Sequence, residues 1–220
     1  MPDRKFPISY SRVNTFQTCP LQFEYLYVNR SVKVVESEQM LYGTRVHEQL
    51  EKYGKTGDEN QLTTESRKWK GLVDSILRQK GDIHWEYQMS ITQDLEPCGW
   101  FDEEVWLRGI ADVLVINGDT AYVLDWKTGK VRDNPQQLQL FACMVMLLFP
   151  EVQTVRTAFV WLVHDVITDV IYKRSMFDVM WKNLMAQFDQ VEEAVRLGVF
   201  EPKPSRLCNW CSAKDVCSYA

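Results

Sequence analysis

The sequence predicts an α/β fold, with helices packed on a mixed central sheet. Two runs rich in Val, Leu and Ile border Asn117-Gly118 and read as a β-hairpin. From Gln136 to Phe149 the chain is apolar nearly all round after its first turn, the pattern of a helix buried on every side. The order of elements is helices, three strands, a helix, two strands and a closing helix, which describes an α/β sandwich around a mixed sheet.

Taken in order, Ser9-Tyr10-Ser11-Arg12-Val13-Asn14-Thr15-Phe16 opens with capping residues and leads into a short helix with Val13 and Phe16 on its apolar side. Cys19-Pro20 restarts it, since proline suits a first turn, and Phe23, Tyr25, Leu26 and Tyr27 continue it as core-packing aromatics and aliphatics. Ser37 to Gly54 has Met40, Leu41, Val46 and Leu50 at helical spacing. Gly43 and His47, four apart, share one face of that helix. A glycine in mid-helix is costly, so another element is expected to pass close to it. A second helix is expected over 64–81, then a strand from Ile83 to Ile91 in which Glu86 is the one acidic residue. A turn-rich acidic stretch, 94–104, leads to the hairpin. Asn134-Pro135 starts the apolar helix, which Pro150 stops. Strands near 156–163 and 166–174 follow, then a long amphipathic helix from Phe177 to Leu197 ending at Gly198.

At 220 residues and 45% hydrophobic content, the chain is long enough for one substantial core. No apolar run reaches the roughly 20 residues that span a bilayer, and Met1-Pro2-Asp3-Arg4-Lys5-Phe6 lacks the apolar core of a signal peptide. The expectation is a soluble intracellular protein with no membrane partner. Net charge is −5, which argues against nucleic-acid binding by bulk positive charge but not against a local basic track beside an acidic metal site. The acidic excess lies in 36–104, while Arg4, Lys5, Arg12, Arg30 and Lys33 make the N-terminal part basic. The chain has no internal repeat and no nucleotide-binding G-x₄-G-K-[ST] loop.

Six cysteines in an intracellular chain read as metal ligands or buried thiols rather than disulfides. Cys98 and Cys143 stand alone. Cys208-x₂-Cys211-x₅-Cys217, with distant Cys19, supplies four thiolates, the number a [4Fe-4S] cluster takes. A Cys₄ zinc site is the alternative, although such sites more often pair two close Cys-x₂-Cys turns. Either metal joins the two ends of the chain. By analogy with a disulfide closing a long loop, such a clip is worth about 4–5 kcal/mol.

The hairpin carries its own chemistry. Asp112 stands in its first strand, and Asp125 and Lys127 end its second. Residues two apart share a face of a strand, so Asp125 and Lys127 point the same way. With a short turn, Asp112 falls opposite position 123, 124 or 125, and register decides whether all three converge. Two carboxylates beside a lysine on an apolar hairpin are costly to bury unless a cation compensates. Asp-x-Lys alone is a weak pattern, with about one chance match expected in a chain of this length. Asp3-Arg4-Lys5 is such a match.

Company distinguishes the hairpin. Ser9 to Pro20, Gly43-Thr44-Arg45-Val46-His47, Gly109-Ile110-Ala111-Asp112, Asp125-Trp126-Lys127-Thr128-Gly129 and Gln137-Leu138-Gln139-Leu140-Phe141 occur in that order. Together they resemble the motifs of the PD-(D/E)XK nuclease superfamily. Within it they resemble the RecB-like exonuclease branch with an iron-sulfur cluster, which includes the AddB nuclease domain and CRISPR-associated and phage exonucleases. The first segment resembles the N-terminal signature with its first cluster cysteine, the second the histidine motif, and the next two the central motifs. The last resembles a motif of Gln followed four residues later by Tyr, and departs from it because position 141 is Phe. Glu86 resembles a strand glutamate of the family only loosely.

The resemblance implies a restriction-endonuclease-like core in one domain, 1–220. In that division 1–36 and 199–220 form the cluster-bearing part and 37–198 the nuclease core. It implies Mg²⁺ or Mn²⁺ held by His47, Asp112, Asp125 and the Trp126 backbone carbonyl, with the histidine making Mn²⁺ suitable. The cation would polarise the scissile phosphate and lower the pKa of a bound water. Lys127 would orient that water and offset developing charge, and Gln137 would bind the phosphate or Lys127. The [4Fe-4S] cluster would sit on Cys19, Cys208, Cys211 and Cys217. The implied function is a metal-dependent DNA exonuclease in repair or recombination, acting at DNA ends and favouring single strands. Unwinding of duplex would come from a separate helicase or recombination partner. The location would be cytoplasmic, or the host cytoplasm for a phage-encoded chain. The alternatives are a non-catalytic DNA-end-binding or assembly module and a zinc-stabilised protein unrelated to nucleases.

Overall fold

A computed structural model of the chain describes residues 7–132 and 134–219. The Asp3-x-Lys5 match lies outside the described residues. Six strands form one sheet: β1 (Ile8–Ser9), β2 (Asp82–Ile91), β3 (Leu107–Asn117), β4 (Thr120–Lys127), β5 (Thr154–Trp161) and β6 (Val166–Lys173). Among the described residues the α-helices are α1 (Tyr10–Thr18), α2 (Pro20–Phe23), α3 (Glu38–Thr56), α4 (Lys70–Leu77), α5 (Gln136–Leu148) and α6 (Phe177–Leu197). Among the described residues, no helix is long and apolar enough to cross a membrane.

The sheet divides two apolar layers. On one side α1, α5 and α6 bury Val13, Phe16, Leu138, Leu140, Met144, Leu184 and Phe188 against Leu114, Val123 and Phe159 of the sheet. On the other, α3 and α4 bury Val46, Leu50, Val73 and Ile76 against Val113, Val115 and Trp126. Fully burying such a side chain is worth about 1.5–3 kcal/mol. α5 lies between the sheet and α6, which accounts for its apolar surround.

Local chemistry sets the helix limits. The Ser9 side chain caps α1 by accepting from the Arg12 N–H, and Ser37 caps α3 by accepting from Met40. Gly57 and Gly198 end α3 and α6 in the left-handed conformation that glycine adopts at no steric cost. The expected helix over 64–81 is shorter, a 3₁₀ turn at Arg67–Trp69 followed by α4. Hydroxyls of Thr63 and Ser66 donate instead to Gln49 Oε1 at 2.9 and 2.7 Å, holding that segment in turns against α3. The N-terminal segment also does more than carry a cysteine, because Ile8–Ser9 pairs in parallel with Leu107 and Arg108.

The hairpin turn is tight. Asn117 pairs with Thr120, leaving Gly118 and Asp119 as a two-residue loop with Gly118 at φ +60° in its first position. The β3–β4 ladder then runs only to Val113↔Leu124. Beyond it, Asp125, Trp126 and Lys127 leave β3 while still pairing with β5. The same edge of β3 takes up β1 at Leu107, and its other edge carries β2 throughout. The sheet is therefore forked between β3 and β4, and the fork opens at Asp112.

Candidate active site

Continuing the ladder's register by one step sets Asp112 opposite Asp125, the pairing that brings both carboxylates to the fork. Asp112 fills the place of the missing ladder bond. Its Oδ2 accepts the Trp126 N–H at 2.6 Å, and its Oδ1 lies 3.2 Å from His47 Nδ1. N–H and C=O of one strand residue face the same edge, so the Trp126 carbonyl is also aimed into the fork. His47 reaches Asp112 because α3 lies close to the end of β4. A Cβ on Gly43, one turn before His47, would stand 2.9 Å from Thr128 Oγ1. The glycine permits the close approach that its place in mid-helix suggested.

Asp125 and Lys127 share a face and meet Gln137 at the start of α5. Gln137 Nε2 donates to Asp125 Oδ1 at 2.7 Å, and Lys127 Nζ donates to Gln137 Oε1 at 3.0 Å. Lys127 Nζ also stands 2.5 Å from Asp125 Oδ2 and 5.0 Å from the centre of the Phe159 ring. Even so, Asp125 Oδ2 accepts no hydrogen bond of good geometry, although it is buried. Phe141, where the resembling motif has Tyr, is buried and offers no hydroxyl. Tyr10, at the start of α1, keeps its proton above the ordinary range through burial and then the charge of Asp125, with Arg132 opposing.

One residue joins that sequence reasoning left outside its set. Ligand atoms of His47, Glu86 and Asp112 all lie within 4.8 Å of one another, the one such group of three among the described residues. In the β2–β3 register Trp85↔Val113 and Tyr87↔Ala111 are partners, so Glu86 faces Asp112 across the rung between them. The signal in the sequence was slight, the one acidic residue between Ile83 and Ile91.

Burial and mutual charge set the electrostatics of this group. Burial first, then the Asp112 carboxylate, pushes the Glu86 carboxyl up to about 7. Burial pushes Asp125 up to about 6 against the pull of Lys127. Burial would lower His47, yet its hydrogen bond to Asp112 and the charges of Asp112, Asp125 and Glu86 leave it raised. The Glu86, Asp112 and Asp125 carboxylates repel one another in this largely buried space, with the Lys127 ammonium beside Asp125 Oδ2. This donor set of hard oxygens with one imidazole fits a divalent cation of the Mg²⁺ or Mn²⁺ type.

The four cysteines assemble elsewhere. Cys19, Cys208, Cys211 and Cys217 all line one cavity of about 210 Å³ where the C-terminal tail folds over α1 and α2. Cys98 and Cys143 are not among its lining residues. Three of the sulfurs accept backbone N–H groups: Cys19 from Lys203 at 3.4 Å, Cys208 from Ser205 at 3.3 Å and Cys211 from Ala213 at 3.4 Å. No three of the sulfurs lie within 4.8 Å of one another. Two thiolates on one zinc ion are at most about 4.6 Å apart, so the ligand set of a single ion is not assembled. The cysteines share a cavity without forming a tight ligand group.

One solved structure shares this architecture. A protein from Eubacterium rectale described as a candidate exonuclease superposes with a TM-score of 0.56 at 14% identity, over 99% of this chain and 91% of its own. A second solved structure, SSO0001, reaches a TM-score of 0.43 at 13% identity, over 99% of this chain and 88% of its own. No curated protein matches the sequence significantly. The model that describes the PD-(D/E)XK nuclease superfamily matches residues 7–218, from β1 through the cysteine tail, and the chain belongs to that superfamily.

Proposed function

We propose that this nuclease is a metal-dependent DNA exonuclease that hydrolyses phosphodiester bonds at DNA ends and favours single strands. The observation that carries the reading is the convergence of His47, Glu86 and Asp112 within 4.8 Å at the fork, beside Asp125 and Lys127. In this reading His47, Glu86, Asp112, Asp125 and the Trp126 carbonyl hold Mg²⁺ or Mn²⁺. Bound there, the cation supplies Lewis-acid charge toward the phosphate and an acidified water. Lys127 places a cation beside the phosphate and offsets negative charge that develops there. Gln137 keeps the Lys127 ammonium and the Asp125 carboxylate in register with each other through its two hydrogen bonds. Asp112 ties the end of β4 to α3, so the groups cannot drift apart.

The same reading gives Cys19, Cys208, Cys211 and Cys217 a [4Fe-4S] cluster that clips the tail to α1 and α2. Their common cavity and the N–H groups aimed at three sulfurs support it, since hydrogen bonds of this kind stabilise cluster thiolates. The reading places the protein inside the cell, where thiolates stay reduced, and leaves duplex unwinding to another chain.

End-labelled single-stranded and duplex DNA, incubated with each metal, provides the test. Stepwise loss of nucleotides by the wild type, absent in Asp125→Ala and Lys127→Ala, is expected. Protein that leaves both substrates intact with Mg²⁺ and with Mn²⁺ refutes the reading. Elemental analysis of anaerobically purified protein is expected to find iron and sulfide; zinc without iron would refute the cluster.

A further inference from the structure

Glu86 sits inside β2 at φ +49°, a left-handed conformation that costs a non-glycine residue about 1–3 kcal/mol. That conformation turns its carboxylate toward His47 and Asp112. It also resets the alternation of the strand. Trp85 packs into the α3–α4 layer, whereas Met89 and Ile91, four and six positions further on, pack into the α5–α6 layer. Residues three apart on a regular strand point to opposite faces. Across the reset, His84 and Tyr87 come together instead, with ring centres 5.0 Å apart and planes inclined at 51°.

Both rings are half-buried, and both line an open groove of about 620 Å³ beside β2, together with Lys55, Leu77, Glu86 and Gln88. β2 pairs with β3 along one edge, and its other edge borders this groove. Glu86 thus belongs at once to the group that gathers at the fork and to the groove wall.

We propose that the groove is a binding site for an unpaired nucleobase of the DNA strand being cut, stacked against the His84–Tyr87 pair. The proposal rests on the nuclease reading, which places the scissile phosphate at the Glu86 end of the groove. A base stacks on an aromatic face whatever its identity, so the shelf is tolerant of sequence. A base inside a duplex is already stacked on both faces and cannot take this place. The site therefore selects single-stranded or frayed ends, and the strain at Glu86 couples the shelf to the cation group.

Two oligonucleotides test the proposal, one ending in 2-aminopurine and one of equal length ending in an abasic residue. Binding is measured with Ca²⁺ in place of Mg²⁺. The terminal 2-aminopurine is expected to be quenched by the wild type. His84→Ala and Tyr87→Ala are expected to lose the quench and to bind the base-bearing strand about five- to a hundredfold more weakly, the worth of one base–aromatic stack. Tyr87→Phe keeps the ring and should bind like the wild type, and all variants should bind the abasic strand as the wild type does. Variants that bind both strands like the wild type, or lose both equally, overturn the shelf. Failure of the nuclease reading would show separately, as no cleavage by the wild type with Mg²⁺ or Mn²⁺.

Discussion

Asp112 Oδ2 accepts the Trp126 N–H at 2.6 Å and so stands where the next rung of the β3–β4 ladder would be. One carboxylate both closes the backbone hydrogen bond at the fork and faces the candidate cation site.

These two duties separate by substitution. Asp112→Asn keeps an oxygen for the Trp126 N–H and removes a charge that presses on Glu86 and Asp125. Asp112→Ala leaves that buried N–H without a partner, at about 1–3 kcal/mol. Both variants should fail to digest DNA. In urea unfolding without metal at neutral pH, the Asn variant should match or exceed the wild type, and the Ala variant should fall below the Asn variant by about 1–3 kcal/mol. Equal stabilities would show that the Trp126 N–H finds another acceptor.

The raised carboxyls give a pH dependence of definite sign. Folded Glu86 and Asp125 hold their protons up to about 7 and about 6, against 4.5 and 3.8 for free groups. Between those limits the folded state binds more protons than the unfolded chain, so stability falls as pH rises. The raised His47 acts in the same direction, since its contribution is lost as pH climbs through its folded pKa. A divalent cation binds the deprotonated groups and reverses the trend. The melting temperature in EDTA should therefore be lower at pH 8 than at pH 5, and Mg²⁺ or Mn²⁺ should raise it more at pH 8. A cation shift of equal size at both pH values would place binding away from these residues.

Much of this was legible in the sequence, because the signals were local. Ser37 and Gly198 mark helix ends by chemistry that acts within one turn, and the apolar surround of α5 announces its burial between two layers. The Asn117-Gly118 pair located the hairpin, while which of positions 123, 124 and 125 faces Asp112 was settled only by the two-residue loop. What the sequence hid depends on distant partners. The two-residue strand β1 exists only because Leu107 and Arg108 offer it an edge. The segment before α4 stays in turns because Gln49, on another helix, takes its hydroxyls. Glu86 enters the site through a left-handed backbone conformation that no neighbouring glycine or turn signal foretells.

The cysteine cavity lies at the end of α1 opposite Tyr10, which feels the charge of Asp125, and a nine-residue helix is about 14 Å long. Ile8, Val13, Phe16 and Phe23 are buried in the main core independently of the cavity, and Phe23 stacks on Phe200 with ring centres 6.3 Å apart. Replacing Cys208 and Cys211 with Ser should therefore remove bound iron and release the tail without unfolding the sheet. Limited trypsin digestion is expected to cut after Arg206 in this variant, since the Lys203–Pro204 bond resists trypsin, and to leave a stable fragment ending there. Loss of cooperative unfolding in the variant would mean that the clip supports the core itself.

Gly43 tests how tightly His47 is placed. In an isolated helix Gly43→Ala would be favourable by up to about 1 kcal/mol. Here the new Cβ would meet Thr128 Oγ1 at 2.9 Å, so α3 and the end of β4 must separate or Thr128 must turn. Separation lengthens the 3.2 Å contact between His47 and Asp112. Misplacing a catalytic group by about 1 Å can cost on the order of a hundredfold in rate, so a loss of roughly tenfold or more in digestion is expected, with stability changed by no more than about 1 kcal/mol. Thr128→Ala removes the obstructing hydroxyl, and the double variant should recover most of the activity, a non-additive result that locates the effect in this one contact. Additive losses would mean that His47 takes its position from the rest of α3 rather than from the close approach at Gly43.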